Sequence, residues 1–259
     1  MISSAIIASL DNVTHKIFRA AQHFQTLTSE LEGYFKTNPG HLVAEQQTNP
    51  LEITATFQAK GPIPALIPII LGDCLQNLRS SLDYLVWELV LAANGNPGKK
   101  HAFPICETAA LFKQNVTSGR LDGVPKDAVT QIESLQPYQL GKDWQKATLW
   151  VLNEFNNINK HRRILLTVLR GGESKNNIDV VNVEGQLWAR GPMPSFDENA
   201  EIGPLPINTE RQVQMNKQIF ACVTFDEGSA KGREITTCLK TMLQEVEKNV
   251  VPTFRAFFT

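Results

Sequence analysis

One stretch sets side chains that can move a proton, or hold charge at a phosphate, beside an unusual density of amides. Asp143 to Arg162, DWQKATLWVLNEFNNINKHR, ends in Lys160, His161 and Arg162 and carries Asn153, Asn156, Asn157 and Asn159 just before them. A histidine is the side chain suited to act as acid and base near neutral pH, which makes His161 the first candidate. Arg79, Lys160 or Arg162 is the cation that would stabilise a phosphorane. Asn153 and Asn157 would orient the substrate. Asp83, four residues beyond Arg79 on a helix, would hold that arginine in place. Such a set offers an acid–base group, cations and amides to an anionic ligand. Asparagine is a mediocre helix former because its side chain competes for backbone hydrogen bonds. The four asparagines therefore point to a site that needs amides, to an internal network tying helices together, or to a helix end that frays.

Two helices must position these groups. At 100° per residue, Thr148, Val151, Leu152, Phe155 and Ile158 fall on one face of the Asp143–Arg162 stretch. Asn153, Asn156, Asn157 and Lys160 fall on the other, and Trp150, Glu154, Asn157 and His161 line one border. Asp143 reads as the N-cap. The partner helix is Leu71 to Leu91, whose seam of Leu71, Leu75, Leu78, Leu82, Leu85 and Leu89 asks for a helical neighbour at a shallow angle. Arg79 and Asp83 sit at the seam's edge and pair. Asp73, Asn77, Ser81 and Glu88 read as a second, solvated stripe.

Bulk properties exclude several classes. The 259 residues are 42% hydrophobic and 20% charged with a net charge of −1, which is ordinary for a soluble globular chain and unlike a strongly basic nucleic-acid coat. The cysteines (Cys74, Cys106, Cys222, Cys238) are scattered without a CxxC pair, so zinc is not expected and free thiols in a reducing cytoplasm are. His15, Arg19 and His23 read as a solvated face, not a metal site. The opening MISSAIIASLDN lacks a basic n-region and does not read as a signal peptide. Pro62 to Leu71 is too short and too proline-rich to span a bilayer.

Along the chain, Ser3 to Leu31 reads as an amphipathic helix, and residues 41–60 as a β-hairpin turning at Thr48-Asn49-Pro50. After the helix over 66–93, Asn94-Gly95-Asn96-Pro97-Gly98 is a firm stop. Thr108 caps a short helix to about Asn115, and Pro125 opens another to about Leu135. Beyond Arg162 the period turns strand-like: Arg163–Arg170, Ile178–Arg190 with a bend at Gly185, a short strand near Ile202, and Gln212–Asp226. Lys231 to Phe258 is the last helix, broken near Val251 by Pro252. The expected class is α+β, a helical bundle with an N-terminal β-hairpin and a C-terminal antiparallel sheet plus a long terminal helix. The division is 1–163, mainly helical, and 164–259, strands and terminal helix, which form one continuous domain if that helix returns to the bundle.

The residues Asn77-Leu78-Arg79-Ser80-Ser81-Leu82-Asp83-Tyr84-Leu85-Val86-Trp87 and Asn156-Asn157-Ile158-Asn159-Lys160-His161-Arg162 resemble the NLRSxLDxLVW and NxxNKHR-like patterns of an uncharacterised bacterial protein family. The likeness includes Phe103-Pro104-Ile105 and Leu135-Gln136-Pro137-Tyr138 and implies a bacterial source, with no activity attached. More distantly, a helical bundle with a polar motif ending in histidine resembles the HEPN superfamily. Many of its members are metal-independent ribonucleases of toxin, abortive-infection and CRISPR systems. Their motif is arginine, four to six residues, then histidine on a late helix. His161 matches the histidine. The arginine position holds Asn156, Phe155 or Glu154, so the cation would come from Arg79 on the neighbouring helix or on a second subunit.

Two functions follow as expectations. The first is a HEPN-like RNA- or nucleotide-interacting protein, a metal-independent ribonuclease of a bacterial defence or toxin system, with His161, Arg79 and Lys160 catalytic and Asn153, Asn157, Arg162 and Asp83 binding. Its partners would be RNA or a nucleotide and, as a homodimer, a second copy, with no metal, cofactor or membrane. The alternative is a non-catalytic helical protein–protein interaction module whose asparagines and histidine form a structural network. Convergence of Arg79 and His161 in an open cleft favours the first; a large apolar surface patch favours the second.

Overall fold

A computed structural model describes residues 8–37, 39–46, 53–168, 179–183, 186–190, 201–205 and 222–258. It is mostly helical, and its centre is one helix, α2 (Leu66–Ala92). All six leucines of the α2 seam are fully buried. No single neighbour covers a helix buried to that extent. α1 (Asp11–Lys36) runs antiparallel along one side, with Cys74 Sγ 3.3 Å from the Ala20 carbonyl at the middle and Glu88 at the far end. α5 (Thr148–His161) lies on the other side, with Arg79 beside Asn153 and Gly72 beside Asn159, so it too is antiparallel. Between α2 and α5 the chain makes two short helices, α3 (Ala109–Thr117) and α4 (Lys126–Ser134), and a 3-10 segment, Pro137–Lys146. Thr108 caps α3 through Leu111 N–H as its type predicts.

α6 (Ile235–Gln244) returns to the bundle. Ile235, Cys238, Leu239 and Met242 join the same core as Val13 of α1 and Leu75 of α2. The helix then loosens into a π-helical turn over Glu245–Val250 before Pro252. A proline cannot donate its hydrogen bond and crowds the preceding turn, which accounts for the break.

Strands β1 (Gly40–Gln46) and β2 (Ile53–Ala59) pair antiparallel, and β4 (Asp179–Val183), β5 (Gln186–Arg190) and β6 (Glu201–Leu205) continue that sheet in the order β1-β2-β4-β5-β6. A separate small sheet joins β3 (Leu166–Val168) antiparallel to β7 (Val223–Phe225), with Leu166 opposite Phe225. The expected starts and turns at Ser3–Ile7, Thr48-Asn49-Pro50, Gly171-Gly172 and Gly185, and the strand expected over Gln212–Ala221, lie outside the described residues.

Three expectations are corrected. Asp143 does not cap α5. Gly141, with φ +58 and ψ −127, breaks the chain into a 3-10 segment, Asp143 pairs there with Lys146 at 2.8 Å, and α5 starts at Thr148. Ser81 and Glu88 are not solvated. Both are buried on the side of α2 that faces α1, where Ser81 donates to the Leu78 carbonyl and Glu88 accepts from Ser9 N–H and Asn12 Nδ2. Glu88 thereby places a carboxylate at the positive end of α1, whose own N-cap residue, Leu10, offers no side-chain cap. Asn156 does not lie on a polar face but in the core, fully buried. α5 is covered on two sides, by α2 and by β7 with its following turn, so its solvent face is narrower than one wheel with one neighbour predicts.

Candidate functional site

The polar residues of the two central helices divide into two groups. The first surrounds Arg79, which is only 8% exposed. Its Nη1 donates to Asp83 Oδ1 at 2.7 Å, its Nη2 to the Phe103 carbonyl at 2.8 Å, and its Nε to Asn153 Oδ1 at 3.2 Å. Asp83 Oδ1 also accepts the Phe103 N–H at 2.9 Å. Together Arg79 and Asp83 therefore satisfy both backbone groups of Phe103, as a neighbouring strand does in a sheet. Gln136 repeats the device one step along. Its Oε1 accepts from Cys106 N–H, and its Nε2 donates to the Pro104 and Ile132 carbonyls, all at 2.9 Å. Tyr138 closes the group on Glu133; burial and that carboxylate push its hydroxyl pKa up to about 12.

The quoted stretches around Arg79, Phe103 and Gln136 thus meet in one internal clamp on the extended segment 103–106. Sequence reasoning singled out Arg79 and Asp83 but gave Gln136 and the Phe103 backbone no role. The available signal was that an isolated FPI segment carries peptide groups with no strand to pair with.

The second group is the end of α5. Asn157, Lys160, His161, Arg162 and Arg163 are exposed. Arg162 makes a bidentate pair with Glu227, which also accepts Leu165 N–H at 2.7 Å and whose carboxyl is held below its ordinary range mainly by that arginine. Lys160 Nζ reaches Asn157 Oδ1 at 3.4 Å. The His161 side chain makes no hydrogen bond or ion pair among the described residues. Arg79 and His161 do not converge: Arg79 meets α5 at Asn153, eight residues before His161, or about 12 Å along the helix.

Glu154 turns away from the expected His161 border. It accepts both N–H and hydroxyl of Ser229, at 2.9 and 2.5 Å. Gly228 makes that turn with φ +67, and a Cβ there would stand 3.0 Å from the Phe155 ring. Trp150 packs edge-on against Trp144, centroids 4.4 Å apart.

Asn156 lies between the two groups with neither side-chain polar atom hydrogen-bonded. A buried unsatisfied amide costs about 1–3 kcal/mol. Asn156→Leu, close in size and apolar, is expected to raise unfolding free energy by about 1–3 kcal/mol in urea titration. An unchanged or lower value would mean that the amide has a partner in solution.

Other chemistries find little here. Burial pushes the Cys74 and Cys222 thiols up to about 12 and raises Cys106 and Cys238, so none of the four is a poised thiolate. Among the described residues no group of three His, Cys, Asp or Glu is placed to hold a metal ion, and no helix is long and apolar enough to cross a membrane. Comparison with protein-family models, with curated proteins and with solved structures finds no match to this chain.

Proposed function

We propose that this chain is a non-catalytic helical interaction module. The observation that carries the reading is the outward side of α2, where Leu66, Ile69, Tyr84 and Trp87 are 48%, 55%, 42% and 41% exposed on the most buried helix of the bundle. Large apolar side chains exposed in pairs at the two ends of one helix face mark a contact surface. The engagement of Arg79 supports the same reading, because a guanidinium holding Asp83, Asn153 and Phe103 has little left for a phosphate.

A second reading, a HEPN-like RNA- or nucleotide-binding protein or metal-independent ribonuclease, is favoured by the exposed Lys160, His161 and Arg163 at the end of α5. Purified protein incubated with several RNAs in EDTA, alongside salt-dependent RNA binding, separates the two. The interaction module leaves RNA uncut and binds it no more tightly at low salt than a neutral protein does. Cleavage that disappears in His161→Ala, a variant expected to fold because His161 is exposed, would overturn it.

A further inference from the structure

The outward row of α2 is symmetric about its own middle. In order it reads Leu66, Ile69, Asp73, Gln76, Asn77, Ser80, Tyr84 and Trp87. From Gln76 back to Leu66 and from Asn77 on to Trp87, the steps are three, four and three residues. The exposed apolar pairs stand at the two ends, their centres about 27 Å apart, and the polar residues lie between. Turning the helix end for end about an axis between Gln76 and Asn77 sets Leu66 opposite Trp87 and Ile69 opposite Tyr84. The same turn sets Asp73 opposite Ser80 and Gln76 opposite Asn77. A patch that is its own complement under a two-fold rotation is what an isologous interface requires.

We propose that this row is the interface of a homodimer, packed antiparallel on the same row of a second copy; the proposal rests on the reading of the chain as an interaction module. Charge selects the direction. In a parallel pairing Asp73 meets Asp73, two carboxylates facing each other. In the antiparallel pairing each Asp73 accepts from the Ser80 hydroxyl of the other copy. Lys16, whose Nζ lies 5.4 Å from the centroid of the Tyr84 ring, is then brought to the end of the second copy that carries Asp73. The aliphatic pair at each end lies against the aromatic pair, leaving no large apolar side chain of the row in water.

The test is sedimentation of the full chain from low to high micromolar concentration. The expected result is twice the chain mass, shifted to monomer with at least tenfold weaker association by Trp87→Asp and by Ile69→Asp, with circular dichroism unchanged. Ser80→Asp alone weakens the dimer by setting carboxylate against carboxylate, and adding Asp73→Ser restores it. A monomeric wild type, a dimer indifferent to both apolar-row variants, or a charge exchange that fails to restore association overturns the proposal. A monomer that leaves RNA uncut removes only the second copy. A monomer that cleaves RNA in EDTA removes the interaction reading as well.

Discussion

Asp83→Ala is expected to destabilise the fold by about 1–3 kcal/mol, more than Arg79→Met does. The asymmetry comes from burial. The Arg79 side chain is 10% exposed and the Asp83 side chain 37%. Removing the carboxylate leaves a guanidinium inside the protein without an anion and leaves Phe103 N–H without its acceptor. Removing the arginine leaves a carboxylate that water reaches. The double variant is therefore expected to be more stable than Asp83→Ala alone, the order a buried, coupled pair produces. Urea unfolding of the three variants beside wild type reads this directly. Additive losses, or a loss under about 1 kcal/mol for Asp83→Ala, would mean that the pair is an ordinary surface contact.

Gly72→Ala is the second large effect, and its sign runs against helix propensity. Alanine in a helix interior is favoured over glycine by about 1 kcal/mol. At this position a Cβ would stand 2.2 Å from Asn159 Oδ1 and 2.5 Å from its Cγ, so the Asn159 side chain between α2 and α5 must move. Overpacking of this kind costs about 1–3 kcal/mol. The expected result is a lower melting temperature for Gly72→Ala, with Gly72→Ala/Asn159→Ala recovering to wild type or above. A Gly72→Ala variant as stable as wild type would show that the Asn159 side chain moves aside without cost.

What was legible in the sequence was what a single helix states about itself. The six seam leucines, the pairing of Arg79 with Asp83 and the stop at Asn94-Gly95 follow from periodicity and local backbone chemistry; Asn94 has φ +58, and Gly95 N–H closes on the Val90 carbonyl. What was not legible depends on how many neighbours a helix has. Glu88 reads as surface until α1 sets its N-terminus against it. Asn156 reads as polar-face until α2 and the β7 turn both cover α5. Asp143 has the right type for a cap, but Gly141 two residues earlier sends the backbone elsewhere. For the site, residue types pointed to Arg79 and His161 together, yet helix register separates them by two turns. The second half of the Arg79 group, Phe103 and Gln136, is a matter of backbone partners that composition does not report.

The centrality of α2 also has a cost in time. Its covers arrive from both directions along the chain: α1 precedes it, whereas α5 and α6 follow, and the last core residue is Phe254. Synthesis proceeds at about 5–20 residues per second, so the stretch between α2 and Phe254 takes roughly 10–30 s to emerge. During that interval α1 and α2 can pair, but the leucines and the Arg79 guanidinium that await α5 and α6 face solvent. A nascent chain of this kind presents an apolar, charge-bearing helix pair before the elements that cover it have been made.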